Sequence, residues 1–153
     1  MHVWILQTGE PVHIDDGNFR PMRAINLANV LIERGHSVTL WTSAFNHQEK
    51  KHRSKHYECH NINSKLEIKL IPSPGYRRNL SLRRLYDHFF LSKNLQKILS
   101  VGTDRKPDVA FIGYPPIEVA STLARWLKTK NVPFIIDVKD QWPTIFIDRF
   151  SPI

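Results

Sequence analysis

Apolar residues fall at two spacings along this chain, and they alternate from the start. Val3–Thr8 is a short apolar run that predicts a strand. A loop follows over Thr8–Phe19, holding Gly9, Pro11, Asp15, Asp16 and Gly17. Pro21–Arg34 predicts a helix, with Ala24, Leu27, Ala28, Leu31 and Ile32 on one stripe, Pro21 suited to its first turn and Gly35 to its end. His36–Trp41 predicts a second strand. Two short strands are expected at Tyr57–Ile62 and Leu66–Ile71, beyond a charged loop at His47–Arg53. Leu82–Val101 reads as a long helix carrying Leu85, Phe89, Leu95 and Leu99. Pro107–Ile112 is a buried-strand pattern, and Pro115–Lys130 a helix with Val119, Leu123 and Leu127 on one face. Val132–Val138 is the last strand, its Phe134-Ile135-Ile136 core expected to be buried on both faces.

Strand, helix, strand in repetition predicts an α/β fold: a Rossmann-like, doubly wound, mostly parallel sheet. The expected strand order is 3-2-1-4-5 plus edge strands, within one domain over residues 1–153. The order reverses between the strand ending at Thr8 and the strand ending at Ile112, and ligands in such sheets sit at that point, beyond the carboxyl ends of the strands. Four segments should therefore meet there: Thr8–Phe19, Ser43–Phe45, Gly113–Pro116 and Lys139–Pro143.

Composition narrows the class. The 153 residues are 41% hydrophobic and 24% charged, as in a globular domain. No apolar run reaches the ~20 residues of a membrane-spanning helix, and the first residues lack the basic leader of a signal peptide. The single cysteine, Cys59, excludes an internal disulfide and any CxxC site. These features give the expectation of a cytosolic protein. A net charge of +8 calls for a polyanionic neighbour, which nucleic acid, an anionic lipid surface and a phosphorylated substrate all satisfy.

Chemistry concentrates in a few places. Asp15-Asp16-Gly17-Asn18-Phe19-Arg20 sits at the first strand-to-helix turn, where glycine lets backbone N–H groups approach a phosphate. The same residues also suit a plain glycine turn with an aspartate cap. GxGxxG is absent, so the dinucleotide fingerprint is missing. Arg20 and Arg23 are placed to clamp phosphate oxygens or to be solvated helix residues. Gly113-Tyr114-Pro115-Pro116 puts rigid backbone and one aromatic at the switch point, where the Tyr can meet a sugar; taken alone, the same residues suit a proline-started helix with an interfacial Tyr better. Lys139-Asp140-Gln141-Trp142-Pro143 follows the last strand, and so exposed a polar cluster exceeds what capping requires. Between Tyr76 and Leu91, Arg77, Arg78, Arg83 and Arg84 interleave with large apolar residues including Phe89 and Phe90. Such a segment suits an anionic membrane surface or an ordinary core helix with a solvated basic face. His47, His52, His56 and His60 recur every four or five residues, but without a thiol partner or HExxH a metal site is not expected.

With these residues in hand, the chain resembles the N-terminal domain of a family 4 (group 1) glycosyltransferase of the GT-B fold, of the bacterial type that builds O-antigen, capsule or exopolysaccharide. The resemblance rests on the Gly17 loop, on Glu33-Arg34-Gly35-His36-Ser37-Val38-Thr39, on Pro107-Asp108-Val109, on Tyr114-Pro115-Pro116 before a helix, and on the IIDVKDQWP segment. It implies half of a two-domain enzyme, with the C-terminal donor-binding domain missing from the chain and the isolated half inactive. It implies Gly17, Asn18 and Arg20 near a donor diphosphate, and Asp16, Tyr114, Pro115 and Trp142 on the acceptor side. Lys139 and Asp140 match a His-Asp pair of many relatives, so the catalytic assignment falls on them. Lys139 in place of histidine argues against a base role at that position. The family is retaining and needs no metal or other cofactor; its co-substrate is a UDP- or GDP-sugar, and its acceptor a lipid-linked or polysaccharide glycan. The implied location is the inner face of the cytoplasmic membrane, with Arg77, Arg78, Arg83, Arg84, Phe89 and Phe90 facing the lipid. Three other readings stand beside it: a non-catalytic membrane- or partner-binding subunit, a nucleic-acid-binding α/β domain, and an epimerase-like enzyme of UDP-sugar chemistry. No nucleic-acid motif is present, and no nucleic acid is expected as a partner.

Overall fold

The structure is a computed structural model that describes residues 1–15, 20–102 and 105–139. Among the described residues eight strands and three helices follow one another: β1 (His2–Leu6), α1 (Arg23–Glu33), β2 (Ser37–Ser43), β3 (Phe45–Asn46), β4 (Lys51–His52), β5 (Glu58–Asn63), β6 (Leu66–Ile71), α2 (Leu82–Val101), β7 (Val109–Tyr114), α3 (Ile117–Thr129) and β8 (Phe134–Val138). Six of the strands form one sheet in the order β5-β6-β2-β1-β7-β8. All neighbours in it are parallel except β5 and β6. The order is the expected 3-2-1-4-5, with β5 as the added edge strand.

Strand alternation sends each side chain to one of two cores. Val3, Ile5, Val38, Leu40, Ile68 and Leu70 face α1, which buries Ala24, Ile25 and Ala28 against them. Trp4, Leu6, Trp41, Ala110 and Ile112 face α2 and α3, which contribute Leu91, Leu95, Leu99, Val119, Leu123 and Leu127. The α2/α3 side is rich in indoles: Trp4 stacks on Trp126 at 5.2 Å between ring centroids and meets Trp41 edge-on at 5.1 Å. The sheet is thus covered on both faces, the condition a parallel sheet needs.

Glycines fix the tightest places. Gly35 (φ +85°) ends the α1 connection in the left-handed region. Gly113 lies where β7 passes β1, and a Cβ there would sit 1.8 Å from Gln7 Oε1. The switch point therefore has room for the Gln7 side chain only because residue 113 has none.

Four local expectations change. Pro21 lies one residue before the N-cap Met22, outside the first turn of α1. The charged loop contains a small hairpin, β3 with β4, paired through Phe45–His52 and Asn46–Lys51. Its turn is drawn together by Asn46 Oδ1, which accepts from the N–H groups of Gln48 and Glu49. In α2, Leu85 and Phe89 are exposed whereas Leu95 and Leu99 are buried. Phe89 and Leu95, six residues apart, are turned about 240° from each other and so lie on different faces, whereas Leu85 stands at the edge of the core face and is 47% exposed. Finally, β8 is not buried on both faces. Among the described residues it pairs only with β7, and Ile135 and Val138 are 61% and 60% exposed.

Candidate functional site

A cleft opens at the carboxyl ends of the parallel strands. Its inner part is a cavity of about 250 Å³ whose wall includes Thr8, Gly9 and Glu10 from beyond β1, Ser43 and Phe45 from β2 and β3, Pro115 and Pro116 from beyond β7, and Lys139 from beyond β8. All four segments expected at the switch point contribute. A second cavity of about 710 Å³ adjoins it and shares Glu10, Met22 and Lys139.

Glu10 organises the cleft. It is buried, and each carboxylate oxygen has its own partner. Oε2 accepts from Ala24 N at 2.8 Å, satisfying one of the free N–H groups at the start of α1, where the N-cap Met22 offers no side chain of its own. Oε1 accepts from Lys139 Nζ. Lys139 is therefore held across the cleft rather than extended into solvent. Its backbone N–H also donates to Tyr114 O at 3.1 Å, continuing the β7–β8 ladder.

The loop between β1 and α1 is anchored by a buried ion pair. Arg53 meets Asp15 through Nε–Oδ1 at 2.5 Å and Nη2–Oδ2 at 2.7 Å, and its Nη1 donates to Ser43 O. Asp15 Oδ2 also accepts from Val12 N. Burial works to raise the Asp15 pKa, but the hydrogen bonds from Arg53 and Val12 together with the Arg53 charge prevail and hold it below the usual carboxylate range. Asp15 is thus committed to the loop's own architecture. Arg23, read as a candidate phosphate clamp, instead makes a two-point contact with Asp137 of β8 at 2.8 and 3.1 Å.

The far wall is basic and aromatic. Tyr76, His47, Arg84, Asp87 and His88 line the inner cavity. Tyr76 Oη bonds His47 Nδ1. Lys50 Nζ lies 4.6 Å from the centroid of the Tyr76 ring, and donates to Asn79 Oδ1 at 2.6 Å. Arg84 Nε donates to His88 Nε2 at 3.4 Å, and Nη1 to Asn79 O at 3.2 Å. Asp87 accepts from Gly75 N at 2.6 Å. Burial shifts three of these groups: it raises the Tyr76 hydroxyl to about 12, raises Asp87, and lowers His88 to about 4 with help from the Arg84 and His47 charges. His88 is accordingly neutral at neutral pH and accepts from Arg84.

The expected site residues divide. Lys139 and Pro115 line the inner cavity, and Arg20 lines the outer one, exposed. Tyr114 is half-buried and packs against the α2/α3 core. Asp16, Gly17, Asn18, Asp140 and Trp142 lie outside the described residues. Arg77, Arg78, Arg83 and Phe89 are exposed, and Phe90 is half-buried against Tyr86 and Phe89. Arg84 parts from that group and turns into the cleft. The four histidines also part: His47 goes to Tyr76, His52 packs on Phe45, His60 pairs with Glu58, and the His56 N–H bonds Ser54. Among the described residues no group of three or more His, Cys, Asp or Glu is placed to hold a metal ion. Glu10, Tyr76, Asp87 and His88 were not singled out from sequence. Glu10 had one available signal, an acidic residue just beyond a strand end and ahead of a helix that lacks a capping side chain.

Compared with protein-family models and with curated proteins, the chain gives no match to either.

Proposed function

We propose that this chain is the acceptor-side half of a retaining, nucleotide-sugar-dependent glycosyltransferase that extends a lipid-linked or polysaccharide acceptor at a membrane face. The observation that carries the reading is the convergence of the Thr8–Glu10, Ser43–Phe45, Pro115–Pro116 and Lys139 segments on one cleft at the switch point of a Rossmann-like sheet. In this reading a UDP- or GDP-sugar is held mainly by a second Rossmann-like domain facing the cleft. The bond from the sugar's anomeric carbon to the diphosphate breaks, a bond to an acceptor hydroxyl forms, and the hydroxyl proton leaves with the diphosphate. In this reading Lys139, ion-paired to and positioned by Glu10, offers its remaining ammonium N–H groups to negative charge developing in the cleft. Asp140, next in sequence, is assigned to the acceptor hydroxyl.

A membrane location is supported by the outer side of α2. Leu82, Leu85, Tyr86 and Phe89 form an exposed stripe at helical spacing, with Leu82 84% exposed. Exposed Leu80 and the side chains of Arg77, Arg78 and Arg83 flank it. Apolar residues beside exposed arginines match an anionic lipid surface. Among the described residues no helix is long and apolar enough to cross a membrane.

The test uses cells overexpressing the native locus, so that whatever supplies the second half is present. Membranes are incubated with radiolabelled UDP- and GDP-sugars, and label is followed into lipid-extractable and polymeric glycan. Transfer that depends on the chain and disappears with Asp140→Asn supports the reading. Chain-independent labelling, or full transfer by Asp140→Asn, overturns it. If instead the chain binds membranes and no sugar transfer follows from it, the non-catalytic subunit reading takes its place.

A further inference from the structure

The far wall of the cleft has a use that sugar recognition alone does not require. Arg84 lines the cavity, and among the described residues no carboxylate pairs with it; its two hydrogen bonds go to neutral acceptors, His88 Nε2 and Asn79 O, and involve Nε and Nη1 only. Lys50 lines the neighbouring cavity, which Arg78 and Arg83 line too, and among the described residues no carboxylate pairs with it; it donates to Asn79 and lies over the Tyr76 ring that both cavities share. His47 lines the same cavity as Arg84, lies 3.4 Å from Lys50 Nζ and bonds Tyr76. The one acid on this wall, Asp87, spends an oxygen on Gly75 N, and Glu10 across the cleft is taken up by Lys139 and α1. Burial and then neighbouring positive charges, Lys50 and Arg84 for His47 and Arg84 for Lys50, hold both below their ordinary pKa values, while the Asp87 charge acts on Arg84 without bonding it.

We propose that Arg84, Lys50 and His47 form an anion subsite that takes the phosphate or diphosphate of a lipid-linked acceptor. This deepens the transferase reading and rests on it for the word acceptor, but not for the anion. The guanidinium fork suits phosphate oxygens. Placement selects the lipid-linked source. Arg84 faces the cleft from the same helix turn whose Leu82, Leu85 and Tyr86 face outward. A helix with side chains is about 10 Å across, so a phosphate at Arg84 lies one helix width from the surface assigned to lipid. A prenyl tail can run past α2 into the bilayer while the sugar it carries enters the cleft.

The experiment is a calorimetric titration of the 153-residue chain with three probes: inorganic pyrophosphate, geranyl diphosphate and UDP. Vesicles rich in phosphatidylglycerol form a separate arm. Wild type is expected to bind pyrophosphate, and geranyl diphosphate at least as tightly. Arg84→Gln is expected to weaken both by about tenfold or more, as loss of a charge-assisted fork does. Lys50→Gln reads the same subsite should Arg84→Gln fail to fold, and Arg125→Gln, at an exposed position of α3, is the surface control, expected to leave both probes unchanged. Vesicle binding should survive Arg84→Gln. Absence of pyrophosphate binding, or equal binding by wild type, Arg84→Gln and Lys50→Gln, overturns the subsite. Loss of vesicle binding in Arg84→Gln matching that in Arg83→Gln overturns it too, because Arg84 is then an ordinary headgroup contact. A clear preference for UDP over geranyl diphosphate overturns the acceptor assignment. No sugar transfer enters the titration, so failure of the labelling assay leaves this result standing, and failure here leaves the transferase reading to its own test.

Discussion

His88 shows how a single buried ring makes the molecule sensitive to acid. Its folded pKa is about 4, against about 6.5 for an unperturbed histidine. The unfolded chain therefore takes up a proton as pH falls through 6.5 while the folded chain resists until about 4. Stability from this group is complete above pH 6.5 and is lost as pH falls towards 4, a contribution of order 3 kcal/mol by linkage. Urea unfolding across that window should show the decline, and His88→Gln should make it shallower, the lowered His47 contributing with the same sign; an unchanged slope would show that other groups govern the window. Asp15 acts lower on the scale. Its depressed pKa gives stability that is present above about pH 4 and lost as pH falls through the folded value. Asp15→Asn leaves the Arg53 charge buried without its partner, at an expected cost of about 3–5 kcal/mol at neutral pH. A cost below about 1 kcal/mol in the same unfolding experiment would remove the ion pair from the account of the loop. Neither partnership was legible in the sequence. Asp15 and Arg53 stand 38 positions apart, and nothing local marks the pairing.

At the scale of elements, α2 separates two chemistries by rotation alone. Leu91, Leu95 and Leu99 pack on the sheet, Arg84 and His88 face the cleft, and Leu82, Leu85, Tyr86 and Phe89 face solvent. Leu82→Ser with Phe89→Ser should leave the melting temperature within a few degrees of wild type, since both side chains are already exposed. The same double variant should lose most cosedimentation with phosphatidylglycerol vesicles; undiminished cosedimentation would mean that the stripe does not meet lipid. The boundaries of α2 could be read from sequence because Ser81 is a helix-capping residue type and Gly102 lies just beyond the last turn; in the structure Ser81 Oγ accepts from Arg84 N. Which face was core could not, because the helix offers apolar residues all around its first half. The β3–β4 hairpin escaped sequence reading for the opposite reason. Its strands are two residues each, too short to show a period, and its turn is set by an asparagine side chain.

For the molecule as a whole, topology was the most readable level. Each crossover is bounded by proline, glycine or a capping residue, and right-handed connection leaves few ways to arrange the parallel strands. The position of the cleft followed from that topology alone. Its far wall did not: Tyr76, Arg84 and His88 are brought in by the packing of α2 and the segment before it. The exposure of β8 was also hidden, since Phe134-Ile135-Ile136 has the same apolar pattern whether the strand is central or at an edge.

The Glu10–Lys139 bond joins positions 129 apart, and Arg23–Asp137 spans 114. On the ribosome, at about 5–20 residues per second, Glu10 emerges some 6–26 seconds before its partner is made. During that interval α1 has its capping carboxylate, but the cleft has only one wall. Completion of the site is thus tied to the arrival of β8 rather than to the folding of the first βαβ unit. Nascent chains stalled progressively later, probed by cross-linking between positions 10 and 139, should form the link only after β8 has cleared the exit tunnel.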